Sequence, residues 1–563
     1  MDGCDGEEET VELVEAAREE EGRRPVEQLP INPGLTRAQA IRLYVSHAFS
    51  AWNARGYEFA AILFTAAAYP DTLVAAALRM IVIYLAMIIL SGSMGAWVQN
   101  APDRLRTLLA TIIANRASVI VGSLFWLLIL SQEDLVKKET LLVLPKNDTL
   151  KHMTFAVAVT FGIIERLSSS GNLISMERDW VVTVAAPPGH PYDLTHLNAV
   201  MRRIDLVCKL ISPIFISVVI SATDSVRIGV IYSALTSLVS IPIETASAKG
   251  VWNSSPVLRV PKTKKKPTEN ASVPAPAHSV PWTSHIRQFL GGFEMYFSTT
   301  VWVPSVALAL LHFNMMTWRA TFVTYLINVG YTLPAITIAR AVGSIFEISS
   351  TVATPLGIQY MGKAYHKHQG LGGEDDRELE VGLIDEADDE QQRQVADGRT
   401  VVGLQRFGLW GVSWQVLNLA PVVVALWAIS SSREDKQEMM SSSGSANPPD
   451  WRWSLMIFGF LSCSRFGVWV FDLTTQQLTQ VLVPAHQRST FAGVETSVVN
   501  VFEILGAGAA ISFPRTEQFR WLSLASFVAV TVGWLMYAGW VREQRGHLLH
   551  WEKLGVWSRN SWR

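Results

Sequence analysis

Residues 72–98 read TLVAAALRMIVIYLAMIILSGSMGAWV. A helix needs about 20 predominantly apolar residues to cross a bilayer, and this run has the length and composition to do so. About twelve such runs, each roughly 20 residues or longer, recur along the chain. Their approximate bounds are 41–67, 72–98, 105–130, 150–174, 200–222, 226–248, 284–327, 332–361, 404–429, 452–479, 489–512 and 518–541. A soluble core has no need of so many. The chain therefore reads as an all-α, multi-pass integral membrane protein, and its function is sought in the polar residues that lipid would normally reject.

Composition agrees. Of 563 residues, 49% are hydrophobic and only 17% charged, against about 25% charged in an average globular chain. The 20 tryptophans suit the membrane–water interface. A net charge of -2 and the lack of a concentrated basic face argue against nucleic acid as a partner. Cys4, Cys208 and Cys463 form neither a disulfide framework nor a CxxC metal motif. The acidic stretch 1–40 has no apolar segment behind a basic region, so it reads as a cytoplasmic N-terminal segment and not a signal peptide.

Span lengths divide the chain into two six-helix lobes, 41–248 and 284–541, with a tail at 542–563. Between the lobes, 249–283 holds Pro261, Pro267, Pro274, Pro276 and Pro281, a linker composition, together with Lys262, Lys264, Lys265 and Lys266. The lysines place the linker in the cytoplasm, and an even span count then places both termini there. The seventh run is too long for one straight crossing. With Pro304 and the polar group Asn314, Thr317, Trp318 and Arg319, it is expected to be a broken helix, a feature transporters place at binding sites. The acidic insertion 366–400 is expected to be a solvated, disordered loop; a cation-collecting or sorting segment is the alternative. Asn147, Asn253 and Asn270 open glycosylation sequons, of which Asn147 alone falls in a predicted outer loop.

Several spans carry polar residues that should face a cavity or another helix. Glu58, Asn115 and Glu244 offer oxygens suited to a hard or borderline divalent cation. The alternative is structural ion pairing of Glu58 and Glu244 with Arg55, Arg116 or Arg166. In span ten, Asp472, Thr475 and Gln476 share a helix face; in span eleven, Thr496, Asn500 and Glu503 do so. These stripes line one cavity or serve as interhelical hydrogen bonds. Charges near the predicted inner surface, Arg178, Asp179, Arg202, Arg203, Asp205 and Arg488, suit a gate whose rupture lets two lobes rock apart; snorkelling and interfacial pairing are the alternative.

Arg178-Asp179-Trp180-Val181-Val182, then Leu197-Asn198-Ala199 and Arg202-Arg203-Ile204-Asp205, form one long motif. Arg465 to Gln477 forms a second, followed by Arg488 and Gly493-Val494; Leu238-Val239-Ser240 and Glu244 end span six. These motifs resemble the ferroportin family, the iron exporters of the major facilitator superfamily. The resemblance implies a twelve-helix, two-lobe carrier that exports ferrous iron from the cytosol, coupled to protons, with one metal site per lobe. It also marks departures. The first-span Asp and His of the family match Ala54 and Glu58; the adjacent Asp and Cys of the broken helix match Arg319 and Ala320; the eleventh-span His matches Gly506; and Gly95-Ala96-Trp97-Val98-Gln99 replaces a G-D-W-V-D gating pattern. A guanidinium cannot ligate metal. It repels a cation by about 4 kcal/mol per unit charge at about 4 Å and an effective dielectric of about 20. Arg319 is therefore expected to act as a built-in cation paired with Asp472 or Glu503, leaving the metal to Glu58, Glu244 and Asn115. Glutamate in place of histidine hardens that site toward manganese, magnesium or calcium.

The metal is cargo, and no cofactor is implied. The expected partners are a divalent metal ion, protons and the lipid bilayer, with the chain a monomer in the plasma membrane or a vacuole-like membrane. A drifted, anionic substrate attracted by Arg319 is a second possibility, and a non-transporting receptor or scaffold a third. No HExxH, paired intramembrane aspartates or Ser–His constellation points to an enzyme. His312, the most notable intraspan histidine, has no partner evident from spacing.

Overall fold

A computed structural model describes residues 34–69, 74–138, 148–262, 282–318, 320–366, 386–439, 450–513 and 515–545. Among them there is no strand, only an isolated bridge between Ala186 and Asp193. The first six crossings are α1 (Arg37–Ala68), α2 (Val74–Asn100), α3 (Arg104–Lys138), α4 (Asp148–Ile174), α5 (Leu194–Thr223) and α6 (Val226–Ser254). After the linker come α7 (Trp282–Ser298), α8 (Trp302–Leu310), α9 (Ala320–Asn328), α10 (Leu333–His366), α11 (Glu386–Met439), α12 (Trp451–Leu482), α13 (Arg488–Ser512) and α14 (Phe519–Arg545).

Nine helices among the described residues are long and apolar enough to cross a membrane by themselves: α2, α3, α5, α6 and α10–α14. Helices α1 and α4 match them in length but carry Arg55 and Glu58, and Glu165 and Arg166, near mid-span. The remaining crossing is broken. Helix α7 meets α8 at 107°, so the two cannot share one straight crossing; α7 suits the bilayer surface. Pro304 lies in the first turn of α8, where its missing N–H costs nothing, so it does not cause the break. The chain unwinds after a 3-10 turn at Leu311–Phe313, over Asn314 to Trp318, and resumes as α9. The freed backbone donors there find partners: Met315 N donates to Ser526 Oγ and Met316 N to Asn314 Oδ1, each at 2.9 Å. Irregular backbone at membrane depth requires this satisfaction.

With the broken crossing counted once, twelve spans form two six-helix lobes of the expected all-α, major facilitator type. Each lobe has its own apolar core, one around Phe64, Trp126 and Phe155 and the other around Phe322, Phe471 and Tyr537. Large apolar residues such as Ile89, Leu124, Val239, Ile345 and Leu417 remain on the outside, where lipid would cover them. Two local expectations change. Helix α6 runs to Ser254, inside the stretch read as linker. Residues 386–400, read as disordered loop, are helical and lengthen α11. The sequons at Asn147 and Asn270, Lys264 to Lys266, most of the acidic insertion and Arg319 lie outside the described residues.

Candidate functional site

Helix α4 does not end regularly. Its last turn, Ser175–Trp180, is a π-helix, in which an extra residue per turn redirects the side chains. Glu177, Arg178 and Asp179 are all buried there and take different partners. Arg178 Nη2 pairs with Glu495 Oε2 at 2.7 Å, and its Nη1 donates to Gln476 O at 3.1 Å and to Thr479 Oγ1. Glu495 is steadied from behind by Ser305 Oγ, which donates to its other oxygen at 2.9 Å. Glu177 accepts from Gln476 Nε2 at 2.8 Å through its carboxylate and from Gln480 Nε2 at 2.8 Å through its carbonyl. Asp179 turns back into its own lobe, to Arg104 and Lys262.

Helix α5 adds a second row. Arg202 Nη2 stands 2.8 Å from Asp472 Oδ2 and donates to Gln476 Oε1 at 2.8 Å. Arg203 Nε donates to Thr351 Oγ1 at 3.1 Å, and Gln477 Nε2 to Thr195 Oγ1 at 2.6 Å. These four contacts join the two lobes, as do those of Glu177 and Arg178, and they gather at the end of the bundle where Lys262 of the linker reaches Asp179. Beside them α2 crosses α13 with almost no side chains between: a Cβ on Gly95 would stand 2.4 Å from Ser489 O and 2.8 Å from Gly493 Cα. Gln99 Oε1 accepts from Ser489 N at 2.9 Å, and its Nε2 donates to Ala485 O at 3.1 Å. The segment that lacks the aspartates of a gating pattern thus still clamps the opposite lobe, through an amide.

The expected gate is therefore divided by the structure. Arg178, Arg202 and Arg203 cross between lobes. Asp179 and Asp205 do not: Asp205 holds Arg55 through two bonds at 2.9 and 3.1 Å. The Arg488 side chain makes no ion pair among the described residues, and its buried Nε has no hydrogen-bond acceptor. Asp472 and Gln476, expected in a second-lobe cavity, belong to the seam.

The expected metal set of the first lobe is not assembled. Glu244, 0% exposed, accepts from Arg116 Nη2 and Nε at 2.8 and 3.1 Å through one oxygen. Asn115 donates to the Glu165 carbonyl and carboxylate at 2.9 and 3.2 Å and accepts from Arg116. Glu58 pairs with Arg55 at 3.4 Å and Arg166 at 3.7 Å, with its side chain 49% exposed. The ion-pair alternative is realised for both glutamates; for Glu244 the cause is burial, since a buried carboxylate needs a counter-charge more than it needs company of its own sign. No group of three His, Cys, Asp or Glu among the described residues is placed to hold a metal.

In the second lobe, His312 does have a partner. Its Nδ1 lies 3.0 Å from Glu503 Oε1, so the last turn before the helix break faces the stripe on α13. Gly506, one turn further, leaves room for the Met315 side chain, whose Cε would meet a Cβ there at 2.4 Å. Asn500 spends its amide on Thr496 O of its own helix at 2.7 Å. Glu495 was missed from the sequence, although a carboxylate inside an apolar run is itself a signal; it stands one residue off the Thr496–Asn500–Glu503 face. Lys209 was missed in the same way. It stands on α5 with its ammonium 5.0 Å from the Trp469 ring centre, and Arg202 and Arg465 approach the same ring at 5.6 and 6.0 Å.

Comparisons with known proteins bear on this arrangement. The family model described as Ferroportin1 (FPN1) matches residues 37–364 and 398–530. The Arabidopsis thaliana protein "Solute carrier family 40 member 1" is 24% identical, over 92% of this chain and 91% of that protein. A solved bacterial homologue of the iron transporter ferroportin, in an outward-facing state, superposes with a TM-score of 0.65 at 19% identity, covering 90% of this chain and 99% of the other. The major facilitator proton:xylose symporter XylE superposes with a TM-score of 0.52 at 10% identity, covering 89% and 94%.

Proposed function

Because this chain belongs to the ferroportin family, we propose that it is a secondary transporter exporting ferrous iron or a related divalent metal from the cytosol by alternating access. The observation that carries the reading is the seam. At the linker end the lobes are joined by ion pairs, amides and a glycine crossing. Such contacts can be exchanged for water when the lobes rock, without tearing an apolar core. The lysine-bearing linker supports placing this end, and both termini, in the cytoplasm. The seam is thus the inner gate in its closed form, in a monomer of the plasma membrane or a vacuole-like membrane.

Two contacts are available to the metal. His312 and Glu503 offer an imidazole nitrogen and a carboxylate beside the broken helix, a pairing suited to borderline metals such as ferrous iron. Protons are the counter-ion in this reading, as the family resemblance implies. In the first lobe, Glu58 is the accessible member of the set, because its side chain is 49% exposed and a cation must displace only Arg55 and Arg166; Glu244 is closed off by Arg116.

The test is flux of iron, manganese, cobalt and zinc in vesicles holding the full chain. His312→Ala with Glu503→Gln is expected to lower flux at least about tenfold, equivalent to about 1.4 kcal/mol. Glu58→Gln with Glu244→Gln is expected to lower it as well; unchanged flux would remove the first lobe from the metal path. One observation favours an anionic substrate instead: Lys209 has no carboxylate in ion-pair range among the described residues, while Arg202 and Arg465 crowd the same indole. The sign of the charge moved per cycle separates the two readings.

A further inference from the structure

The residues that follow α6 do not leave the bundle. Pro256–Arg259 form a single helical turn, and Arg104 donates to the carbonyl oxygens of Leu258 and Val260. Lys262 then inserts its ammonium between α2 and the π turn. Its Nζ donates to Val98 O at 2.7 Å and stands 2.7 Å from Asp179 Oδ2, and both side chains of the pair are 10% exposed. Burial pulls the Lys262 ammonium below the ordinary lysine range, and Asp179 opposes that fall. The other carboxylate oxygen, Asp179 Oδ1, takes Arg104 Nε at 2.9 Å. Asp179 is thus divided between a helix of its own lobe and the linker.

Across the seam, Arg488 opens α13. Its neighbour Ser489 donates its backbone N–H to Gln99 Oε1 at 2.9 Å, and Gln99 adjoins the Val98 carbonyl that holds Lys262, so Arg488 starts its helix beside the Lys262–Asp179 pair. Arg178 repels it and is committed to Glu495. Asp179 would attract it but is occupied. Arg488 therefore has a buried Nε without an acceptor, a costly state for a guanidinium donor.

We propose that Lys262 is a strap residue of the gate. By occupying Asp179 it denies that carboxylate to Arg488, and it holds the closed seam one ion pair short of its tightest form. The charge at position 262 then sets how readily the inner gate reopens. This rests on the alternating-access reading only for its consequence for transport; the competition for Asp179 stands on the contacts themselves.

The experiment uses the full chain in vesicles, with native cysteines replaced by serine and Ser489→Cys as reporter. Ser489 is 2% exposed in the closed seam, so labelling by a membrane-impermeant maleimide reads opening. Lys262→Met frees Asp179 for Arg488 and is expected to slow labelling several-fold; Lys262→Gln is a second neutral variant should the first fail to fold. Adding Arg488→Met to Lys262→Met is expected to restore the rate, because the new pair cannot form. Lys262→Arg, which keeps the charge, is expected to label like the parent. Labelling at the parental rate or faster in both neutral variants overturns the proposal, as does a double variant that stays slow. Metal flux is read in the same vesicles: if flux is absent while the labelling pattern holds, the transport reading fails and the strap survives.

Discussion

At the scale of single residues, Arg116 and Glu244 show how this chain treats charge inside lipid. Both are essentially unexposed, at 1% and 0%, and each answers the other. Removing one partner strands a buried charge, at about 3–5 kcal/mol, whereas replacing both with apolar groups of similar volume is often neutral. Arg116→Met is therefore expected to lower the thermal midpoint of the purified protein markedly, and Arg116→Met with Glu244→Leu to recover most of the loss. A single variant as stable as the parent would show that Glu244 is held by other means. The pairings of Glu58 and Glu244 with Arg55, Arg116 and Arg166 were legible as one of two options, since spacing reveals an unwelcome charge but not its partner. The pairing of Arg178 with Glu495 was not legible, because the two meet only when separate lobes close.

At the scale of elements, span existence could be read from apolar runs to within a few residues at most ends. The exceptions are instructive. Composition marked the seventh run as too long, yet could not say that α7 would lie across α8, which depends on where the bilayer surface falls. The π turn carried no signal in apolar periodicity, since its winding answers to partners on α3, α12 and α13. The glycines at 95 and 493 were readable as small residues but not as a matched pair. Gly95→Ala places a methyl carbon 2.4 Å from a backbone oxygen that cannot swing away. It is expected to hold α2 and α13 apart, so that Ser489→Cys labels much faster than in the parent. Gly162→Ala is the contrasting change, since its Cβ would meet only Ile83 at 3.6 Å, an ordinary contact, and it should label normally. Equal labelling of the two would remove the crossing from the gate.

At the scale of the whole molecule, twelve spans and two lobes follow from hydrophobic length, a property each span carries alone. The closed end of the bundle does not, because it is decided by contacts such as Asp472 with Arg202 that join distant parts of the chain. The π turn at Ser175–Trp180 has a further consequence for how such a chain tolerates change. A regular α-helix advances about 100° per residue. Forcing this turn into ordinary winding with all its residues kept would swing the residues at its end about 100° around the axis, away from the glutamine pair, from Glu495 and from Arg104. A substitution that tightened the stretch into an ordinary turn would thus scatter all three contacts at once, even if it touched none of the side chains that make them.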